Sequence, residues 1–153
     1  MKRLIIGLLA FLIIFFIIIQ FIPPVSHQNE QAGNDDLNQL YRVPQKVQAI
    51  LRNSCYDCHS NSTNYPWYGH IQPVRYFLDS HIMQGKEELN FSEFANYSAI
   101  KRKHKLRAIT DALEEKTMPI SSYLLIHQQA KLNQQQTNEI LSWIKTVEDS
   151  DQK

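Results

Sequence analysis

The apolar run from Leu4 to Ile22, LIIGLLAFLIIFFIIIQFI, restricts the fold of this chain more than any other feature, and Gln20 is its only polar side chain. As a helix at about 1.5 Å per residue, the run is roughly 28 Å long, close to the thickness of the hydrocarbon core of a bilayer. A core helix of a soluble domain is the alternative, and the charge-free composition of the run and its place at the very N-terminus argue against it. The run therefore predicts a transmembrane helix.

A cleavable signal peptide is the competing interpretation, because signals also place basic residues, here Lys2 and Arg3, before an apolar core. This core is long for a signal, and the residues from Pro23 to His27 offer no small-residue cleavage site. We therefore expect residues 1–22 to remain as an anchor in the cytoplasmic (inner) membrane. The two basic residues keep the N-terminus in the cytoplasm, so the rest of the chain is expected in the periplasm or outside.

The chain has 153 residues, which suits one domain besides the anchor. Residues 23–42 are polar and predict a flexible linker, residues 43–148 are expected to form the domain, and residues 149–153 form a polar tail. The part beyond the anchor has 14 basic and 15 acidic side chains. Its formal charge of −1 gives no bulk attraction to nucleic acid.

Apolar spacing of three or four residues predicts an all-α domain, because no segment alternates with a period of two. The predicted helices run from about Pro44 to Cys55, from Pro73 to Leu89, from Ser92 to Thr117 and from Asn133 onward. Ser92 is the expected N-cap of the third, and Asn133 with Gln136 fits a capping box for the last. The second helix is expected to bury Val74, Phe77, Leu78 and Ile82.

The only two cysteines lie in the run Cys55-Tyr56-Asp57-Cys58-His59. C-x-x-C-H is the attachment signature of c-type haem, in which two thiols bond to the vinyl groups and the histidine binds the iron. In bacteria this attachment takes place outside the cytoplasmic membrane, which agrees with the predicted topology. Cys55, Cys58 and His59 are therefore predicted to hold haem c.

Three other interpretations of the motif remain open. A thioredoxin-like redox pair uses C-x-x-C beside a βαβ unit, and this chain is predicted to be helical throughout. Zinc needs a second pair of ligands, and the remaining histidines show no such spacing. A structural disulfide would make the protein a colourless adaptor.

Further residues between about Val47 and Trp143 carry a resemblance to a known family. They are Cys55, Cys58, His59, Ser60, Asn61, Thr63, Tyr65, Pro66, Trp67, Tyr68, Pro73, Val74, Gly85, Asn90, Phe91, Ser92, Met118, Pro119, Tyr123, His127, Ala130, Leu132 and Trp143. On these the chain resembles a class I cytochrome c and, more closely, the small haem-binding-domain family of membrane-anchored bacterial proteins. It departs from that pattern at Phe94, where tryptophan is usual, and at Gln128, where proline is usual.

The resemblance implies a second axial ligand from a methionine before the last helix, and Met118-Pro119 occupies that place. Met118 is thus predicted as the sixth iron ligand, although methionine also serves as core filler. Met83, His81, His70 and His127 are minor alternatives. Trp67 and Tyr68 are expected to pack against the porphyrin and exclude water, or otherwise to belong to the ordinary core.

The function these expectations favour is electron transfer or haem-based redox sensing, with a redox partner protein and without catalysis. The alternative is a haem peroxidase-like or gas-binding domain, which requires a displaceable sixth ligand. The basic run from Lys101 to Arg107 is either the solvated face of a helix or a docking patch for an acidic partner or anionic lipid.

Overall fold

The computed structural model describes residues 1–23 and 36–150, and this part of the chain is helical without a β-strand. The predicted all-α fold is confirmed. The α-helices are α1 (Lys2–Ile19), α2 (Leu37–Leu40), α3 (Gln45–Ser54), α4 (Tyr56–His59), α5 (Val74–Glu88), α6 (Ala99–Glu114), α7 (Ser121–Leu124) and α8 (Gln134–Ser150). Short 3₁₀ helices cover Trp67–His70, Phe91–Asn96 and Gln128–Ala130.

Helix α1 is 18 residues long, and none of its side chains is buried. Its length and apolar composition would allow it to cross a membrane, and an N-terminal signal sequence has the same properties. The apolar side chains of α1 are not buried against any other part of the described chain.

The domain core forms where α3, α6 and α8 meet, closed on one side by α2 and the 3₁₀ helix Phe91–Asn96. Each helix contributes one apolar row, as the spacing of three and four residues predicts. The most deeply buried side chains of the core are Leu37, Leu51, Phe91, Phe94, Leu106, Ile140 and Ile144. This core supports the cysteine motif, which follows α3 directly.

The folded part begins earlier than the predicted linker boundary. Leu37 is fully buried, and the side chain of Asp36 caps α2 by accepting a hydrogen bond from the Asn38 N–H at 2.8 Å. Residues 24–35, most of the predicted linker, lie outside the described residues. A single buried leucine in a polar stretch leaves no periodic pattern, so the sequence alone could not show this start.

The N-terminus of α6 differs from the prediction, whereas that of α8 agrees with it. The Ser98 hydroxyl caps α6, while Ser92 is buried and its Oγ accepts a hydrogen bond from Asn61 N at 3.1 Å. Ser92 is therefore committed to a tertiary contact and starts no α-helix. At α8, Asn133 and Gln136 exchange two backbone-to-side-chain hydrogen bonds of 2.9 Å, which confirms the capping box.

Helix α5 buries a narrower face than its apolar pattern predicts. Ile82 is 1% exposed, but Val74 and Phe77 are 43% and 60% exposed, so their expected burial is wrong. The helix packs through Leu78 and Ile82, because the 3₁₀ helix Trp67–His70 and the motif turn lie on that side. An apolar strip at the start of α5 is left without a covering element among the described residues.

Candidate functional site

The cysteine motif folds into one tight turn at the end of α3. Cys55 ends that helix, and its carbonyl oxygen accepts hydrogen bonds from the N–H groups of Cys58 at 3.2 Å and His59 at 3.0 Å. The motif thereby becomes the single-turn helix α4. One turn of backbone therefore carries two thiols and one imidazole.

The imidazole of His59 is held by two backbone carbonyl groups. Its Nδ1 lies 2.8 Å from the oxygen of Gly85 and 3.1 Å from that of Leu89. A carbonyl oxygen only accepts, so Nδ1 carries the hydrogen and Nε2 keeps its lone pair. This tautomer, fixed by a carbonyl partner on the far nitrogen, is typical of a histidine that binds a metal.

Close contact between α5 and the motif turn allows the two carbonyl groups to reach the His59 ring. A Cβ atom on Gly85 would lie 2.8 Å from the carbonyl oxygen of Cys58, nearer than real Cβ atoms come to such an atom. Glycine is therefore required at this point of α5. Its missing side chain lets the helix approach the motif, and its carbonyl then reaches His59.

A buried polar network supports the motif turn from behind. Ser60 Oγ donates to Tyr56 O at 2.7 Å, and Asn90 Nδ2 donates to Asn61 Oδ1 at 2.8 Å. Asn61 N donates to Ser92 Oγ, and Ser92 N to Asn90 Oδ1. These side chains are at most 8% exposed, so the hydrogen bonds replace those lost to water. The network ties the residues after His59 to the residues after α5.

A cavity of about 310 Å³ opens beside the motif. Cys55, Cys58 and His59 line one side of it. Met118, Pro119, Ile120 and Tyr123 also line it, as do His81, Gln84, Gly85 and Glu88 of α5. The structure therefore brings Cys55, Cys58, His59 and Met118 together around one space, although 59 residues separate His59 from Met118 along the chain.

Trp67 and Tyr68 are not among the residues that line this cavity. Trp67 is 77% exposed and meets the ring of Tyr68 edge-on at 5.8 Å. The hydroxyl of Tyr68 lies 3.2 Å from Nε2 of His127. Contact of these two aromatic rings with a porphyrin stays a prediction.

Of the four alternative iron ligands, only His81 lines the cavity. Its Nδ1 lies 2.8 Å from the carbonyl oxygen of Phe77, which leaves Nε2 with its lone pair as in His59. Met83 is 44% exposed and outside the lining, and the rings of His70 and His127 lie against Tyr65 and Tyr123. His81 is therefore the alternative that lies on the same cavity as Met118.

The pKa values of the two thiols differ in direction from those of a reactive C-x-x-C redox pair. Burial, with a further contribution from Cys58, raises the pKa of Cys55 to about 12; burial and the charge of Asp57 raise the pKa of Cys58 to about 11. Reactive C-x-x-C pairs have a lowered pKa instead. Within residues 1–23 and 36–150, no cluster of three or more His, Cys, Asp or Glu side chains could hold a metal ion.

Tyr123 is the site residue whose role the sequence did not reveal. Its hydroxyl donates to Asp57 Oδ2 at 2.8 Å, and its ring stacks on His127 at 4.1 Å. Burial and then the Asp57 carboxylate raise the pKa of Tyr123, so the phenol remains a hydrogen-bond donor. Sixty-six residues separate Tyr123 from Asp57, and no spacing signal joins residues that far apart.

Comparison with known families agrees with this donor set. The sequence pattern of the haem-binding domain family matches residues 14–146, most of the chain and part of α1. The chain therefore belongs to the haem-binding domain family, and its cofactor is haem. No curated protein and no solved structure gives a significant match. Two neighbouring thiols, an imidazole with a free Nε2 and a thioether on one cavity are donors that suit this cofactor.

The Gly85→Ala variant should loosen the site. The added methyl group must displace the Cys58 carbonyl or α5, which we expect to destabilise the domain by about 1–3 kcal/mol and to lengthen the His59 hydrogen bond. Thermal unfolding followed by circular dichroism, with the absorption spectrum of the bound haem, measures both effects. Glu87→Ala, an exposed change on the same helix, is the control, and equal stability of the two variants would contradict the close contact.

Proposed function

We propose that this chain is a membrane-anchored c-type haem protein that transfers electrons, or senses redox state, at the outer face of the cytoplasmic membrane. The observation that carries the proposal is the donor set around the 310 Å³ cavity: Cys55, Cys58, His59 and Met118 all line it. Each donor has a distinct use in binding one haem. Membership in the haem-binding domain family supports the same cofactor.

Each of these residues would bind the cofactor in a different way. Cys55 and Cys58 would bond to it covalently through their sulfur atoms, and His59 Nε2 would bind the iron. Met118 would supply the second axial ligand, a soft and neutral donor that favours reduced iron. Bound in this way, haem supplies one-electron chemistry at its iron.

The surrounding residues tune that site. The carbonyl oxygens of Gly85 and Leu89 orient the His59 ring and increase the basicity of its Nε2. Pro119, Ile120 and Tyr123 form an apolar part of the lining, which limits the access of water. The hydrogen bond from Tyr123 to Asp57 fixes this wall to the motif turn itself.

The basic run from Lys101 to Arg107 is partly engaged within the domain. Lys101 lies over the ring of Tyr97 at 4.1 Å, and Arg102 donates to the carbonyl of Tyr97 at 2.9 Å. Lys105 lies 3.7 Å from Glu88, which lines the cavity. A redox partner with an acidic surface is the partner this face would attract, in a salt-dependent manner.

The anchor prediction concerns topology. Lys2 and Arg3 precede the apolar helix, so an alkaline-phosphatase domain fused after Lys153 should be active. The same fusion carrying Lys2→Glu and Arg3→Glu should lose much of that activity, since the charge bias is reversed. An inactive wild-type fusion would contradict the orientation, and a mature chain that begins after Ile22 would contradict the anchor.

The covalent attachment prediction concerns the two thiols. Thioether bonds survive denaturation, so haem staining after denaturing electrophoresis should show a band for the wild type made in a host with haem-maturation machinery. Cys55→Ala and Cys58→Ala should each weaken or abolish the band, whereas Ser54→Ala, a change beside the motif, should keep it. A wild-type chain without stain would rule out covalent attachment.

The axial ligand prediction concerns Met118. A sulfur-to-iron bond gives a weak band at the red end of the ferric spectrum, and Met118→Ala should remove it. Met83→Ala is a matched control, because the two methionines are 43% and 44% exposed and only Met118 lines the cavity. If Met118→Ala leaves the band unchanged, Met118 is not the ligand.

His81 distinguishes two outcomes of the same experiment. In Met118→Ala, takeover by His81 keeps the iron low-spin with a lower potential, and Met118→Ala with His81→Ala should then turn it high-spin. The gas-binding alternative predicts instead that the wild-type ferrous protein already binds carbon monoxide. The partial exposure of the Met118 side chain supports the gas-binding alternative, because a partly exposed ligand is easier to displace.

A further inference from the structure

The end of the apolar helix α1 contacts the domain at one defined point. The side chain of Gln20 accepts a hydrogen bond from Gln72 N at 3.0 Å and donates one to Gln72 O at 3.2 Å. Gln72 is 5% exposed, and its own side chain accepts from Tyr76 N at 3.3 Å in the first turn of α5. A pair of amide hydrogen bonds therefore joins the end of the anchor to the start of α5.

Several apolar side chains before and after Gln72 in the sequence are exposed. Ile71, Val74 and Tyr76 are 37%, 43% and 66% exposed, and Trp67 is 77% exposed on the 3₁₀ helix that packs against α5. The ring of Tyr76 meets that of Phe77 at 5.8 Å. We call Trp67, Ile71, Val74 and Tyr76 the α5 patch. An exposed group of large apolar side chains marks a surface that meets something other than water.

The charge pattern around the α5 patch suits a lipid surface. Residues 60–86 hold only three charged side chains, Arg75, Asp79 and Lys86, about half the share of 20% found in the whole chain. Arg75 and Asp79 lie 3.5 Å apart with side chains only 15% and 6% exposed. The charged groups of Arg75 and Asp79 are therefore mostly shielded from solvent beside the α5 patch.

The position of Gln20 fixes where a bilayer would lie. Gln20 is the only polar side chain of the apolar run and lies at its C-terminal end, where a span of this length leaves the hydrocarbon. Phe21 and Ile22 follow it and are 82% and 53% exposed. Since Gln72 is bonded to Gln20, the start of α5 lies at the same depth, where tryptophan and tyrosine are enriched in membrane proteins.

We infer that the α5 patch places the domain on the outer leaflet of the bilayer that α1 spans, with the Gln20–Gln72 pair as a fixed contact between anchor and domain. This rests on the membrane anchor of the proposed function and adds a second contact with lipid. The occupant of the patch is the interfacial region of the bilayer, where Trp67 and Tyr76 insert their rings. The domain is then held against the membrane in one orientation.

Lipid photocrosslinking on the full chain tests this contact. The chain is placed in phosphatidylethanolamine and phosphatidylglycerol nanodiscs, one chain per disc, which contain a phospholipid with a photoreactive group near the headgroup end of its acyl chain. Mass spectrometry should then find lipid adducts on residues 67–77 as well as on residues 1–22. Ile71→Glu with Tyr76→Glu should reduce the adducts on residues 67–77 roughly tenfold, because two apolar contacts are replaced by charges.

Two variants make the result specific. Ile100→Glu, at a position 74% exposed on α6, should leave the adducts unchanged. Gln20→Ala changes a residue outside the apolar core of the domain, yet it removes both hydrogen bonds to Gln72 and should lower the adducts on residues 67–77. Adducts confined to residues 1–22 would overturn the inference, as would equal labelling around Ile100, or labelling of residues 67–77 that neither Gln20→Ala nor Ile71→Glu with Tyr76→Glu reduces.

Companion measurements separate this inference from the proposed function. The absorption spectrum and haem stain of the same discs report the cofactor, and membrane sedimentation of the chain before reconstitution reports the anchor. Adducts on the α5 patch without haem would support the inference while the haem proposal fails. Adducts that appear only in haem-free chain would mean that the cofactor covers the patch, and they would overturn the inference.

Discussion

The hydrogen bond between the His59 imidazole and the carbonyl oxygens of Gly85 and Leu89 joins the two halves of the site. It selects the tautomer in which Nε2 is free, and it requires the end of α5 to lie directly against the motif turn. That approach in turn requires glycine at position 85. Once α5 is in place, His81, Gln84 and Glu88 follow along the helix and complete the lining of the cavity. The arrangement of residues around the cavity thus follows from the hydrogen bonds that hold the His59 ring.

Local information was enough to predict much of the fold. The capping box of Asn133 and Gln136 involves residues three apart, and the apolar row of α8 repeats within single turns, so both are visible in the sequence. The start of α6 is different, because Ser92 and Ser98 are equally good caps by themselves. What decides between them is the contact of Ser92 with Asn61, 31 residues away, which a local pattern does not contain.

The residues of the site also differ in whether local sequence patterns reveal them. The chemistry of Cys55, Cys58 and His59 depends on spacing within five residues, so the sequence displays it directly. Met118 could be predicted because a proline follows it before the last helix, and the structure does bring it to the cavity. The lining role of His81 and the bond from Tyr123 to Asp57 depend on how separate helices pack. The same packing leaves Trp67 exposed, which its apolar character alone did not predict.

The raised pKa values of the two thiols also affect how readily the cysteine motif is oxidised before haem is bound. A thiol with a pKa of about 11, the value at Cys58, is ionised in roughly one molecule in 10⁴ at neutral pH. Thiol–disulfide exchange is the attack of a thiolate on an existing disulfide, so both sulfurs exchange slowly with an external disulfide. The raised pKa values of the two thiols therefore slow the closure of the pair into a disulfide by an external disulfide. Burial at the motif turn thus favours the persistence of the two free thiols in the folded chain.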